Sequence, residues 1–138
     1  MSLAKLQNTT IMSTELTHGR LKYLAAKIGV TEDIVSRLAL GVSIREGKIS
    51  EDWKPKKHQN EMLQEVNGGK SLRGKTLFKS ELPLWMVLLS QTEGKLESID
   101  EARSKFISHW ERGIELISTT DDGSDWIHLI YNITKTDS

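Results

Sequence analysis

Apolar residues recur with a helical period from about residue 13 onward. Leu21, Leu24, Ala25 and Ile28 stand at i, i+3, i+4 and i+7, the spacing that gathers side chains on one helical face. Gly29 ends that helix, because glycine takes the left-handed C-terminal conformation without a steric penalty. Thr31 caps the next, with Glu32 and Asp33 at the positive end of its dipole. Ile34, Val35, Leu38 and Val42 carry its apolar spacing. Ser80 and Glu81 open a third helix with Pro83 in its first turn, where the missing N–H costs little. Its stretch "LPLWMVLLS" is apolar nearly all round, which predicts a central helix packed on several sides. "SIDE" at 98–101 reads as a capping box. The helix it starts, to about Ser118, sets Ile99, Ala102, Phe106, Trp110, Ile114 and Ile117 on one face. A last short helix, "DWIHLIYNI", offers Trp126, Leu129, Ile130 and Ile133.

Two regions lack this order. Residues 1–12 read as a loose arm in which Thr9, Thr10 and Ile11 tolerate a strand. Residues 45–80 hold nine Lys/Arg, glycine-rich turns and Pro55. They read as a long basic loop with a short helix around 57–66 and a short extended piece at Lys75 to Phe78. The fold class predicted is mainly α: a compact single-domain bundle of about five helices, residues 1–138, with the basic loop in its middle. There is no internal repeat.

Composition narrows the function classes. At 138 residues, 37% hydrophobic and 28% charged, the chain has the size and balance of one ordinary soluble domain. No apolar run approaches the ~18 residues that cross a bilayer, and the first residues lack the apolar core of a signal peptide. A cytoplasmic protein with no membrane role is expected. There is no cysteine, so disulfides, thiolate nucleophiles and Cys-ligated zinc or iron–sulfur sites are excluded. The four histidines, at 18, 58, 109 and 128, form no helical metal pair; neither a metal nor a cofactor is expected. Net charge is zero but unevenly spread. Residues 1–79 carry 14 Lys/Arg against 8 Asp/Glu, and residues 80–138 carry 5 against 11. Such asymmetry fits a basic part that meets a polyanion, and equally a set of solvated faces.

"GKSLRGKT", residues 69–76, matches the phosphate-binding pattern G-x-x-x-x-G-K-[ST] letter for letter. That loop works between a buried parallel strand and a helix that starts directly after it. Here "EMLQEVNG" before it is polar, and Pro83 interrupts a helix begun at Gly74 within two turns. No apolar run ending in Asp supplies a second magnesium ligand. The match is a decoy.

What remains is cationic. Lys70, Arg73, Lys75 and Lys79 lie within ten residues, and flexible cations in an exposed loop suit a phosphate backbone, where each contact releases condensed counterions. Lys54, Lys56 and Lys57 add a second cluster, and Arg20, Lys22 and Lys27 lie on the first helix, largely off its apolar stripe. These ten are the candidate DNA-binding residues; a lysine-rich solvated loop is the plainer alternative. Trp53, flanked by basic residues, suits base stacking or the edge of the core. Arg37 fits a structural ion pair with Glu32 or Asp33. Asp121, Asp122 and Asp125 lack the spacing of an EF-hand and read as a polar turn and helix cap. No nucleophile–base–orienter set is visible, so no catalytic residue is assigned.

"LKYLAAKIGVTEDIVSRLALGVSI" resembles the N-terminal segment of the DNA sulfur-modification protein DndE family. That family runs L-x-x-L-x-x-x-x-G, here Leu21, Leu24 and Gly29, into a helix ending R-L-A-L, here Arg37 to Leu40. "GKTLFKSELPLWMVLL" is similar to the family's passage into an apolar helix, and "HWERGIELI" to its H-x-x-R-G-[IV] helix. The resemblance touches residues 14–44, 68–90 and 105–117 in order, with a longer basic insertion around 48–70 in this chain. It implies a small, mainly helical, non-catalytic accessory of bacterial DNA phosphorothioation. It further implies a homo-tetramer that binds duplex DNA, nicked DNA by preference, through surface lysines, beside other sulfur-modification proteins. Lys22, Lys27 and the Lys70–Lys79 loop are the cations it favours. Two rival readings are a ribbon-helix-helix regulator, from the order "NTTIM", helix, "GVT", helix, and a scaffold subunit that binds only protein.

Overall fold

The structure, a computed structural model, describes residues 3–135. The elements run α1 (Leu3–Gln7), β1 (Thr10–Met12), α2 (Glu15–Ile28), α3 (Glu32–Arg45), β2 (Ser71–Arg73), α4 (Gly74–Phe78), one 3-10 turn at Lys79–Glu81, α5 (Leu82–Glu93), α6 (Ile99–Thr120) and α7 (Trp126–Thr134). The protein is mainly α-helical. Its five longer helices are the five read from the sequence, and its strands form one two-stranded antiparallel sheet with Ile11 opposite Leu72.

Helix ends follow local chemistry. The Thr14 hydroxyl accepts the Thr17 N–H at the start of α2, and Gly29 closes it at φ 84° with its N–H on the Ala25 carbonyl. Ser98 accepts the Glu101 N–H at the start of α6, and Asp125 caps α7 through the His128 N–H. Along α6, Ala102, Phe106, Trp110, Ile114 and Ile117 are all buried, as the spacing predicts.

The centre of the molecule is the crossing of α3 over α6. A methyl group at Gly113 would stand 1.8 Å from the Ala39 carbonyl oxygen, so only glycine lets the two backbones meet. The face of α3 turned to α6 is Ser36, Ala39, Leu40 and Ser43, all buried. This corrects the sequence reading, which put Ile34 and Leu38 inside; both are exposed. Close helix approach selects small residues, so two serines hold core positions that a hydrophobic period does not mark.

Four further expectations change. α5 is not enclosed: Leu82 and Leu89 are buried, but Leu84 and Val87 are more than half exposed, because its other side faces no neighbouring element among the described residues. Trp126 also stays outside. No helix forms at 57–66, where Asn60 sits at φ 59°, a left-handed conformation that interrupts a helix. The extended piece is Ser71–Arg73, not Lys75–Phe78, which is helical.

Candidate nucleic-acid interface

The glycine-rich stretch 69–76 is held by backbone packing. A methyl group on Gly69 would lie 1.8 Å from the Ser13 carbonyl oxygen, and one on Gly74 2.2 Å from that of Leu6. Both glycines are required by the N-terminal arm that lies against them. The stretch also spends its amides on that arm. Lys70 N–H donates to Ser13 Oγ at 2.9 Å, and Gly74 N–H to the Thr9 carbonyl at 2.9 Å. A helix does begin at Gly74, which the sequence reading denied, yet it is one turn long and its strand is antiparallel. No phosphate cradle is assembled.

The same pairing bears on the regulator reading. β1 finds its partner in β2 of its own chain, in place of the symmetric partner that a ribbon-helix-helix dimer supplies.

Residues 46–70 are a strap laid across α2. Gln64 N–H donates to the Gly19 carbonyl at 3.2 Å, and a methyl group at Gly19 would stand 2.9 Å from the Gln64 carbonyl oxygen. His18 Nδ1 lies 3.0 Å from the Gly68 carbonyl oxygen. Under the strap, Arg20 is fully buried. Its Nε and Nη2 bind the two carboxylate oxygens of Glu61, and Nη1 binds Glu115 Oε1 at 3.1 Å. Its Nη2 also donates to the Lys56 carbonyl. Arg20 therefore leaves the DNA-binding set: its guanidinium is enclosed and has its partners inside the fold.

The other nine cations divide in two. Lys27 is half-buried and paired with Asp121, and Lys70 pairs with Glu32 at 3.3 Å. Lys22, Lys54, Lys56, Lys57, Arg73, Lys75 and Lys79 are exposed. Lys22 and Lys70 line one open groove of about 730 Å³ with Thr76, Glu32 and Asp33. Lys79 stands at φ 53°, a backbone position that ordinarily costs a non-glycine residue about 1–3 kcal/mol. Its charge and that of Arg37 add to a Thr31 hydrogen bond in holding the Asp33 carboxyl below its ordinary range. Arg37 itself pairs with Asp33 at 3.5 Å and donates to the Leu77 carbonyl at 3.2 Å, tying α3 to α4. Trp53 is half-buried.

Two interior polar groups escaped the sequence reading. Glu111 Oε2 accepts the Thr14 N–H at 2.9 Å and the Thr14 and Thr17 hydroxyls at 2.7 and 2.6 Å, a remote carboxylate placed at the positive end of α2. Two residues earlier on α6, His109 links Ser43 of α3 to Glu93 of α5 in a chain with both links at 2.8 Å. The ionised Glu93 can only accept, so neutral His109 donates its Nε2–H there and its Nδ1 accepts the Ser43 hydroxyl, whose oxygen in turn accepts Arg112 Nε–H at 2.8 Å. Burial outweighs the pull of Glu93 and keeps His109 below its ordinary 6.5. Burial would raise Glu93, but the Ile49 N–H, His109 and Lys105 together hold it low. The order is that of a hydrolase triad, yet Ser43 and His109 are fully enclosed and admit no substrate. The available signal was the i, i+7 spacing of Ser36 and Ser43 on the arc completed by Ala39.

Among the described residues no cluster of three or more His, Asp or Glu is placed to hold a metal ion. No helix among them is long and apolar enough to cross a membrane.

The model of the family described as "DNA sulphur modification protein DndE" matches residues 11–124. Among solved structures, the chain is similar in fold to the crystal structure of DndE from Escherichia coli B7A, described as involved in DNA phosphorothioation modification. The TM-score is 0.58 at 24% identity, over 78% of this chain and 94% of that one. No curated protein matches the chain. α7, Trp126–Thr134, lies beyond the family match.

Proposed function

The chain belongs to the DndE family of DNA sulphur modification proteins, and from that premise we propose that it is a non-catalytic DNA-binding accessory of phosphorothioate modification. It binds duplex DNA, nicked duplex by preference, through the phosphate backbone and without reading bases. The observation that carries this reading is the division of the cations. Arg20, Lys27 and Lys70 are matched by carboxylates. Lys22, Lys54, Lys56, Lys57, Arg73, Lys75 and Lys79 have no carboxylate within 4 Å among the described residues and face solvent. Having no cysteine, the chain offers no persulfide or cluster ligand, and the sulfur chemistry falls to partner proteins in the cytoplasm.

Self-association, to a tetramer, is the second part of the reading. Ile34 and Leu38 on α3 and Leu84 and Val87 on α5 are exposed, and the indole N–H of Trp85 on α5 is buried without a partner. Charged substitutions at Leu84 and Val87 are expected to lower the mass in sedimentation while leaving helical content intact.

The test of DNA binding is fluorescence anisotropy with intact, nicked and single-stranded DNA of arbitrary sequence across a salt series. Sequence-blind binding that favours the nick is expected. Its log–log salt slope should be about −0.9 per neutralised phosphate of duplex DNA, and replacing Arg73, Lys75 and Lys79 together by alanine should flatten it. Absence of binding at low salt refutes the reading and favours a scaffold that binds only protein.

A further inference from the structure

Three exposed lysines, Lys54, Lys56 and Lys57, sit on a strap with no regular secondary structure. Such cations ordinarily contact a polyanion weakly, since the backbone carrying them must be ordered on binding. Here the central peptide is already ordered. Lys56 N–H donates to Glu115 Oε1 at 2.7 Å, and the Lys56 carbonyl accepts from Arg20. Both polar groups of one backbone unit are thus gripped from below while its side chain points to solvent. Two residues on, His58 N–H donates to Glu61 Oε2 at 3.2 Å, and Ser118 Oγ donates to Glu61 Oε1 at 3.0 Å. Glu61 and Glu115 are themselves joined through the Arg20 guanidinium, whose planar fork suits such a node.

We propose that Arg20, Glu61 and Glu115 form a clasp that presets the Lys54–Lys57 segment for a DNA phosphate backbone. The inference rests on the DNA-binding reading above and assigns the three clasp residues a positioning role, since none of them touches the ligand. Glu115 is the informative member. Its carboxylate is the acceptor for Lys56 N–H, whereas Arg20 keeps both oxygens of Glu61 when Glu115 is removed, so no buried charge is stranded.

The test sets two physical effects against each other. Deleting an acidic side chain beneath a lysine cluster should tighten DNA binding if charge alone matters. Releasing one backbone unit should weaken it about tenfold if the clasp matters. Glu115→Ala, Glu115→Gln and wild type are compared by anisotropy on nicked duplex, each also in a background with Lys54, Lys56 and Lys57 replaced by alanine. The expected result is that E115A binds about tenfold more weakly. E115Q, which retains an oxygen for Lys56 N–H, binds at least as well as wild type. The E115A effect vanishes in the triple-lysine background, and trypsin cuts E115A faster after Lys56 and Lys57. Should E115A lose its helical circular dichroism, Glu115→Asp, one methylene shorter, replaces it with the same expectations.

E115A binding as tightly as wild type or tighter overturns the clasp alone. An equal loss in the triple-lysine background also overturns it, because the effect would then arise elsewhere. A wild-type protein that binds no DNA overturns the reading on which the inference stands, and the two failures are told apart by that first measurement.

Discussion

Arg20 and Arg112 are both withdrawn from solvent, and both read backbone carbonyls, but they sit in regions built differently. Arg112 works at the end of α3 beside the helix crossing. Its Nη2 donates to the Ser43 carbonyl at 2.6 Å and to the Gly47 carbonyl at 2.5 Å, and its Nε to the Ser43 hydroxyl. It thereby adds a second donor to the Ser43 carbonyl, which already accepts the Glu46 N–H, and holds the Gly47 carbonyl just past the helix end. Burial lowers its pKa below the ordinary guanidinium value, against the pull of Glu46 and Glu93, and it stays charged. Arg20 works under the strap, where no helix organises the backbone, and there it needs two carboxylates, Glu61 and Glu115. Where regular structure supplies the geometry, one buried arginine suffices as a cap. Where it does not, an ion-pair node replaces it.

Removing each arginine tests that difference. Arg20→Met strands Glu61 and Glu115 inside the fold. Breaking a buried pair in this way typically costs about 3–5 kcal/mol. Arg112→Met strands no directly paired carboxylate and takes its donor from the Gly47 carbonyl, for about 1–3 kcal/mol. Urea melts of the two variants should rank them in that order. Equal losses would mean that the node under the strap is no more than a second cap.

The two regions also differ in how each uses a glycine. Gly113 and Gly69 would each place a new methyl carbon 1.8 Å from a carbonyl oxygen, of Ala39 and Ser13 respectively. At Gly113 two long helices must part, and Gly113→Ala should cost about 3 kcal/mol, the upper end for overpacking. At Gly69 only the arm must move, and Gly69→Ala should cost about 1 kcal/mol, the lower end. Hydrogen exchange should show the first change opening α3 and α6 globally and the second opening only β1 and β2.

Much of this architecture was legible in the chain. The stripe on α6, the Gly29 cap and the Ser98 cap each rest on contacts within a few residues, and local chemistry decides them. The faces of α3 and α5 were not legible, because Ser36 and Ser43 are inside and Leu84 and Val87 outside. A hydrophobic period assigns them the reverse. Close backbone approach decided the first, and a helix face without a neighbour among the described residues accompanies the second. The glycines of 69–76 were visible as a motif, but what they approach, Ser13 and Leu6, is about 55–70 residues away in sequence. Arg20 shows the same limit in the candidate interface. Seven of ten cations stay exposed, yet the choice between solvent and Glu61 depends on how the strap crosses α2.

The mildest test concerns pH and separates the two regions again. His109 beside the helix crossing has its pKa pushed below 6.5 by burial. The unfolded chain therefore takes up a proton before the folded one does, and stability falls as pH drops below about 6.5 toward the folded value. Under the strap, Glu61 is lowered from 4.5 because the Arg20, His58 and Ser118 hydrogen bonds outweigh its burial. Its contribution is complete above pH 4.5 and is lost only as pH falls through the lowered folded value. Glu93 adds a loss of the same sign in that lower window. The stability profile should thus have two limbs, one starting near 6.5 and one below 4.5. His109→Gln should flatten the upper limb and leave the lower one in place. Glu61→Gln should reduce the lower limb and leave the upper. Urea melts from pH 3.5 to 7.5 read both, and a His109→Gln profile that keeps its upper limb would mean that another group, not the buried histidine, senses that range.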